Sequence, residues 1–188
     1  MIFLQKWRVK LGHLFTIVLL FCAEPPEVSE LLAGTFFALL GEAIRIAAAG
    51  LIHKDENLSR AGLYAYVRNP LYVGSFFMYL GFCIACGNPW ITFAFIPFFS
   101  IVYTATVMRE EAFLASKFGE DFARFTADVP RFFPRLTPAP GAGRANFSWQ
   151  QAKANKEYEG AIATVAVLAV LWIMGLTGFS PLAAILAR

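Results

Sequence analysis

The chain has 188 residues, of which 58% are hydrophobic and only 15% charged, with a formal net charge of +3. So little charge cannot cover the surface of a soluble domain of this size, and the composition is that of a membrane protein. The three cysteines lie in apolar stretches without zinc-type spacing, and there is no Gly-rich phosphate loop or internal repeat, so neither a metal nor a nucleic acid is an expected partner.

Residues 11–23 form the first apolar run, behind Lys6, Arg8 and Lys10. Its length fits either the core of a signal peptide or a tilted first span anchored by Trp7, and the span is the preferred reading. Residues 31–52, 70–88, 89–108 and 161–187 are each long enough to cross a hydrocarbon core, which takes about 20 helical residues. The sequence therefore predicts an all-α integral membrane protein with about five transmembrane helices, forming one membrane domain over residues 1–188. Within the second span, Glu42 and Arg45 stand one helical turn apart and can pair with each other, or Arg45 can snorkel to the interface. Pro70 opens the third span, Asn88–Pro89 turns the chain into the fourth, and Pro97 is expected to kink that helix.

Beyond residue 108 the pattern changes. In REEAFLASKFGEDFARF, Phe113, Leu114, Phe118, Phe122 and Phe125 recur at helical spacing with charges opposite. This predicts that the fourth span continues into an amphipathic helix on the membrane surface, broken or bent at Gly119. VPRFFPRL then turns the chain, TPAPGAGRANFS reads as a flexible link, and a basic stretch to Lys156 leads into the last span.

Fourteen of the sixteen Lys and Arg fall into three segments, carrying Lys6, Arg8 and Lys10; Lys54, Arg60 and Arg68; and the eight from Arg109 to Lys156. The intervening residues 24–30 hold three acids and no base. The positive-inside bias places all three basic segments in the cytoplasm. Arg68, Asn69 and Tyr72 then meet Arg109, Glu110 and Glu111 at one membrane level, because the third and fourth spans are antiparallel neighbours. Such a lip suits a polar ligand meeting a lipophilic one, or else it is an interfacial belt of Tyr and Arg.

The order of the residues adds to this. GLYAYVRNPLYVG at 62–74 is followed by Asn88–Pro89 and Glu110–Glu111. Leu114, Phe118–Gly119, Phe122, Phe125 and Val129–Pro130 then complete the set. This series resembles the isoprenylcysteine carboxyl methyltransferase family and its phospholipid methyltransferase relatives, over a core of about residues 56–134. The resemblance implies a small membrane enzyme that uses S-adenosylmethionine without a Rossmann domain. It implies a cofactor site between the loop ahead of the third span and the helix carrying the acidic pair. Leu58, Ser59, Tyr64, Asn69, Pro70, Leu71 and Tyr72 would line it, with Glu110 facing them.

The residue chemistry agrees with that role. Arg68 offers a planar fork for a carboxylate. Glu110 or Glu111 can accept from an ammonium or a ribose, and Tyr64, Tyr66 or Tyr72 can pack on an adenine. Arg68, Arg109 and Glu111 are the candidate catalytic residues. Displacement at a sulfonium needs positioning and desolvation more than a strong acid or base, so His13 and His53 need no role. A carboxylate acceptor on an isoprenyl or other lipid group is already ionised. A phospholipid amine must lose a proton, to Glu111 or Tyr72.

The chain departs from the family pattern at Asn69 and Glu56, where histidines are usual, and at Thr106, where carboxylate-methylating members carry an arginine. It also continues into an extra C-terminal span. The alternatives are an NADPH-dependent membrane reductase related to the sterol reductases, and a non-catalytic membrane subunit using Glu42 and Arg45 at an interface.

Overall fold

The computed structural model describes residues 2–52 and 58–187 and contains no strand among them. His53, Lys54 and Glu56 lie outside the described residues. The helices are α1 (Ile2–Phe21), α2 (Val28–Ala49), α3 (Pro70–Ala85), α4 (Pro89–Asp128), α5 (Trp149–Ala154), α6 (Glu157–Thr177) and α7 (Pro181–Leu186), with a 3-10 turn at Gly62–Ala65 ahead of α3. Among the described residues, α2, α4 and α6 are long and apolar enough to cross a membrane, and Val9–Phe21 and Pro70–Ala85 are shorter apolar helices.

The centre of the fold is the α2–α3 pair, which carries the most extensive helix–helix packing in the chain. Its closeness comes from glycine. Gly34 and Gly41 on α2 meet Gly81 and Gly74 on α3. A Cβ at Gly34 would stand 2.5 Å from the Gly81 carbonyl, and one at Gly41 would collide with the Met78 amide and the Gly74 carbonyl. Small residues let two backbones touch where lipid supplies no hydrophobic drive to hold them together. α6 packs across both helices, while α4 packs on α3 and α1. Phe15 and Leu19 of α1 are buried in this core, alongside Phe95 and Phe99 of α4.

The ends of the helices follow local chemistry. Pro70 and Pro89 open α3 and α4, where a missing N–H costs nothing. The Asn88 side chain accepts from the Trp90 amide and donates to the Cys22 carbonyl at 3.0 Å and Glu24 Oε1 at 2.9 Å, tying the α3–α4 turn to the α1–α2 loop. At the opposite end, Asn155 donates to the carbonyls of Ala49 (2.8 Å) and Ile52 (3.0 Å), closing off the end of α2.

Three expectations change. α4 continues from the apolar into the amphipathic segment and breaks at Gly119 (φ 49°, ψ −120°), both as expected, whereas the backbone at Pro97, where a kink was expected, keeps helical dihedrals. The apolar stripe of its second half faces the chain itself. Phe122 and Phe125 pack with Val129 and Ala139, flanked by Leu58, Leu114 and Phe118. The final apolar run is also divided, because α6 begins at Glu157 and ends at Thr177, where Gly178 adopts φ 67° before the short α7.

Candidate active site at the mouth of α3 and α4

Residues 129–139 form a strap across the turn that precedes α3. The Arg68 amide donates to the Pro130 carbonyl, the Arg135 amide to Tyr66 and the Ala139 amide to Ala65, each at 2.9 Å. The Arg68 guanidinium adds a bond from Nη1 to the Thr126 carbonyl at 3.0 Å. Loop, strap and α4 are thereby held as one unit. Without a strand on either side, the loop's amides and carbonyls need these partners.

Glu111 is the hub beneath the strap, and it is only 8% exposed. Arg131 approaches it from the strap with Nε at 3.0 Å and Nη2 at 2.6 Å, both on Oε2. Arg68 Nε stands 3.1 Å from Oε1 as an ion pair whose N–H is not aligned for a hydrogen bond. Asn69 donates through Nδ2 to Oε1 at 3.3 Å and to the Arg131 carbonyl at 3.2 Å. Two guanidiniums around one carboxylate leave this group with a net positive charge. Glu110, the neighbouring acid, accepts from the Tyr72 hydroxyl at 2.6 Å. The Tyr72 ring meets Tyr103 edge-on, with centroids 5.5 Å apart, and Tyr103 stacks on Phe99.

Tyr64 completes the lip from the 3-10 turn. Its side chain is buried, and its hydroxyl has no hydrogen-bond partner among the described residues. Burial holds the phenol above its ordinary titration range, and the charges of Glu110 and then Glu157 push it further the same way. Tyr64 thus stays neutral, able to donate or accept.

The structure therefore brings together Arg68, Asn69, Glu111, Tyr72, Glu110 and Tyr64. It does not bring Arg109 in. Arg109 is exposed on α4, and the second cation on Glu111 is Arg131. Successive residues of a helix point about 100° apart, so Arg109 cannot face inward beside Glu111. Arg131 lay in VPRFFPRL, and its only signal in the sequence was a basic residue directly after the amphipathic segment. Leu58 packs on the aromatic stripe of α4, and Ser59 donates to the Leu51 carbonyl at 3.4 Å. Pro70 is buried at the first turn of α3 and Leu71 is half-buried.

The Glu42–Arg45 pair is also corrected. Arg45 reaches across to α6, with Nη2 at 2.9 and 2.8 Å from the two oxygens of Glu157, while Nη1 donates to Ser75 Oγ at 2.6 Å. Glu42 instead accepts from Thr164 Oγ1 at 3.0 Å. Among the described residues no group of three or more His, Cys, Asp and Glu is arranged to hold a metal ion.

The segment that carries this arrangement can be compared with known proteins. Residues 29–121 match the phospholipid methyltransferase family. The match bears out the family resemblance read from the motifs, and it covers α2, α3 and α4 as far as the break after Gly119. The chain is 33% identical over 96 residues to protein-S-isoprenylcysteine O-methyltransferase of Schizosaccharomyces pombe, covering 51% of this chain and 41% of that one. It is 36% identical over 84 residues to a cobalt-zinc-cadmium resistance protein of Cupriavidus metallidurans, covering 45% and 38%. It is 32% identical over 92 residues to 7-dehydrocholesterol reductase of Danio rerio, covering 48% of this chain but 19% of that protein. The chain thus spans about two fifths or less of the curated relatives it matches. No solved structure matches it significantly. Membrane-length helices support an integral membrane protein, and its residues 29–121 are similar to the phospholipid methyltransferase family.

Proposed function

We propose that the chain transfers a methyl group from S-adenosylmethionine to a lipophilic acceptor at the cytoplasmic face of a membrane. The observation that carries this reading is the Tyr64 hydroxyl, buried without a partner, under the charge of Glu110 and Glu157, and inside the segment that matches a methyltransferase family. A buried phenol that lacks a partner costs free energy until something supplies one. The donor set fits the cofactor, because carboxylates, amide, phenols and guanidiniums are the complements of its ammonium, hydroxyls, base and carboxylate.

Tyr64, Asn69, Pro70, Leu71, Tyr72 and Glu110 would hold the cofactor, with Leu58 and Ser59 at the edge of the loop. S-adenosylmethionine supplies an electrophilic methyl on a sulfonium. The protein's part is to orient and to exclude water. Tyr72 fixes the Glu110 carboxylate by its 2.6 Å hydrogen bond, and the strap covers the loop from the aqueous side. Arg68 and Arg131, held on Glu111, present the positive charge that a carboxylate acceptor or the cofactor's own carboxylate would meet. For an amine acceptor, Glu111 is the nearest group able to take a proton, and it would have to exchange an arginine to do so. The basic residues ahead of α3 and on the strap support a cytoplasmic mouth by the positive-inside bias, and α1, α2, α3, the first half of α4 and α6 would then be the five spans.

The test is thermal stabilisation of the detergent-solubilised protein by S-adenosylhomocysteine, set against NADPH. Stabilisation by the first supports methyl transfer. Stabilisation by NADPH alone would favour a reductase, and by neither a non-catalytic subunit. Glu110→Gln should weaken S-adenosylhomocysteine binding by about 1.5–3 kcal/mol, roughly ten- to a hundredfold, because it removes a charge-assisted acceptor. Unchanged affinity in calorimetry would remove Glu110 from the site.

A further inference from the structure

α6 lies outside the family-matched residues, yet it carries two side chains into a polar cluster between the helices. The cluster has two unmet valences. Arg45 uses Nη1 on Ser75 and Nη2 on Glu157, which leaves its Nε buried with no acceptor. Glu42, 5% exposed, takes Thr164 on Oε2, which leaves Oε1 buried with no donor. One is a donor and the other an acceptor, on residues one turn apart along α2. Each unmade bond to a charged group in apolar surroundings is costly.

α6 places a glycine at this point. A Cβ at Gly160 would lie 3.4 Å from Glu157 Oε2, 3.6 Å from Glu42 Oε1 and 3.8 Å from Arg45 Nη2. Three charged side chains thus converge beside a glycine of the helix. The Arg45 side chain is 23% exposed, so the cluster reaches the surface there. Arg45 lies four residues before the end of α2 at Ala49, about 6 Å along the axis, so the cluster sits near one end of that helix.

The chemistry selects among ligands. An ammonium donates but cannot accept from Arg45 Nε. A phosphate or carboxylate accepts but meets the Glu42 and Glu157 carboxylates. A hydroxyl accepts from Arg45 and donates to Glu42, and it suits either protonation state of that acid. We propose that Glu42, Arg45 and Glu157, beside Gly160, form a second site that binds the free hydroxyl of a membrane lipid. The site adjoins the cofactor lip, since the Glu157 charge also acts on Tyr64, but its argument does not depend on the methyltransferase reading.

The experiment measures the melting temperature of the full chain in detergent against three probes. They are dioctanoylglycerol with its free hydroxyl, the same lipid with that hydroxyl acetylated, and glycerol at matched concentration. The site requires a saturable rise with the first alone. In Gly160→Ala, whose added methyl makes only ordinary contacts, and in isosteric Glu42→Gln, the half-saturating concentration should rise at least tenfold. An equal shift with the acetylated lipid would mean apolar binding only, and a shift with glycerol would mean a soluble polyol site. No shift with any probe would mean that water alone fills the gap. Each of these, or unaltered binding in both variants, overturns the proposal, whatever S-adenosylhomocysteine does.

Discussion

A phenol buried without a partner costs about 1–3 kcal/mol, and Tyr64 carries that cost at the centre of the candidate site. Tyr64→Phe should therefore leave the melting temperature unchanged or raise it, while weakening S-adenosylhomocysteine binding about tenfold, the worth of one hydrogen bond. Titration gives an independent check. The folded protein holds this proton above the ordinary phenol value of 10.0, while the unfolded chain releases it there. Unfolding then releases a proton, so the contribution of Tyr64 is intact below about pH 10 and is lost as pH rises beyond it. Wild-type stability should fall more steeply than that of Tyr64→Phe between about pH 9 and 11 in denaturant titrations, and equal slopes would place the phenol in solvent. Arg68 and Glu111 behave differently from Tyr64, because each is already paired within the protein. Arg68→Lys cannot span both Glu111 and the Thr126 carbonyl, and should cost at least tenfold in methyl transfer. Exposed Arg144→Lys should be silent, and equal activity in the two would reduce Arg68 to an anchor.

At the scale of elements, the starts and breaks of the helices could be read from single residues. Pro70 and Pro89 open helices, and Gly119 sits at φ 49°, a backbone that side chains with a Cβ rarely adopt. How close α2 and α3 stand could not be read so directly, although Gly34, Gly41, Gly74 and Gly81 were visible in the sequence. Their meaning depends on which two faces meet, and an apolar helix in lipid offers little amphipathic contrast to reveal it. Gly41→Ala should cost about 1–3 kcal/mol or more, because the methyl would overlap the α3 backbone. Gly143→Ala, with open space around it, should have no measurable effect. Matching melting temperatures for the two variants would show that α2 and α3 have room to separate.

For the molecule as a whole, the proposed arrangement of five spans with the basic segments inside would put residues 24–30 outside and the strap inside. A cysteine at exposed Ser29 should react with an impermeant thiol reagent applied to intact cells, and one at exposed Gly143 should not. Cys83 and Cys86 are buried, so replacing Cys22 supplies the background. Reversed labelling would invert the topology and move the candidate site to the other face.

Composition and charge pattern alone determined a helical membrane chain, and the ordered motif alone carried the methyltransferase resemblance, because hydrophobic length and local spacing are properties of contiguous residues. They also supplied most of the lip, from Arg68 and Asn69 to Glu110 and Glu111. Only the tertiary structure decided the ion pairs. Arg45 turned from Glu42 to Glu157, 112 residues away, and Glu111 took Arg131 in place of Arg109. Two charge-assisted contacts to one distant partner outweigh a nearby residue on the same helix once helix rotation brings that partner in line. That rotation is set by the glycine contact of α2 with α3 and by where the strap crosses the loop, and no local pattern encodes either.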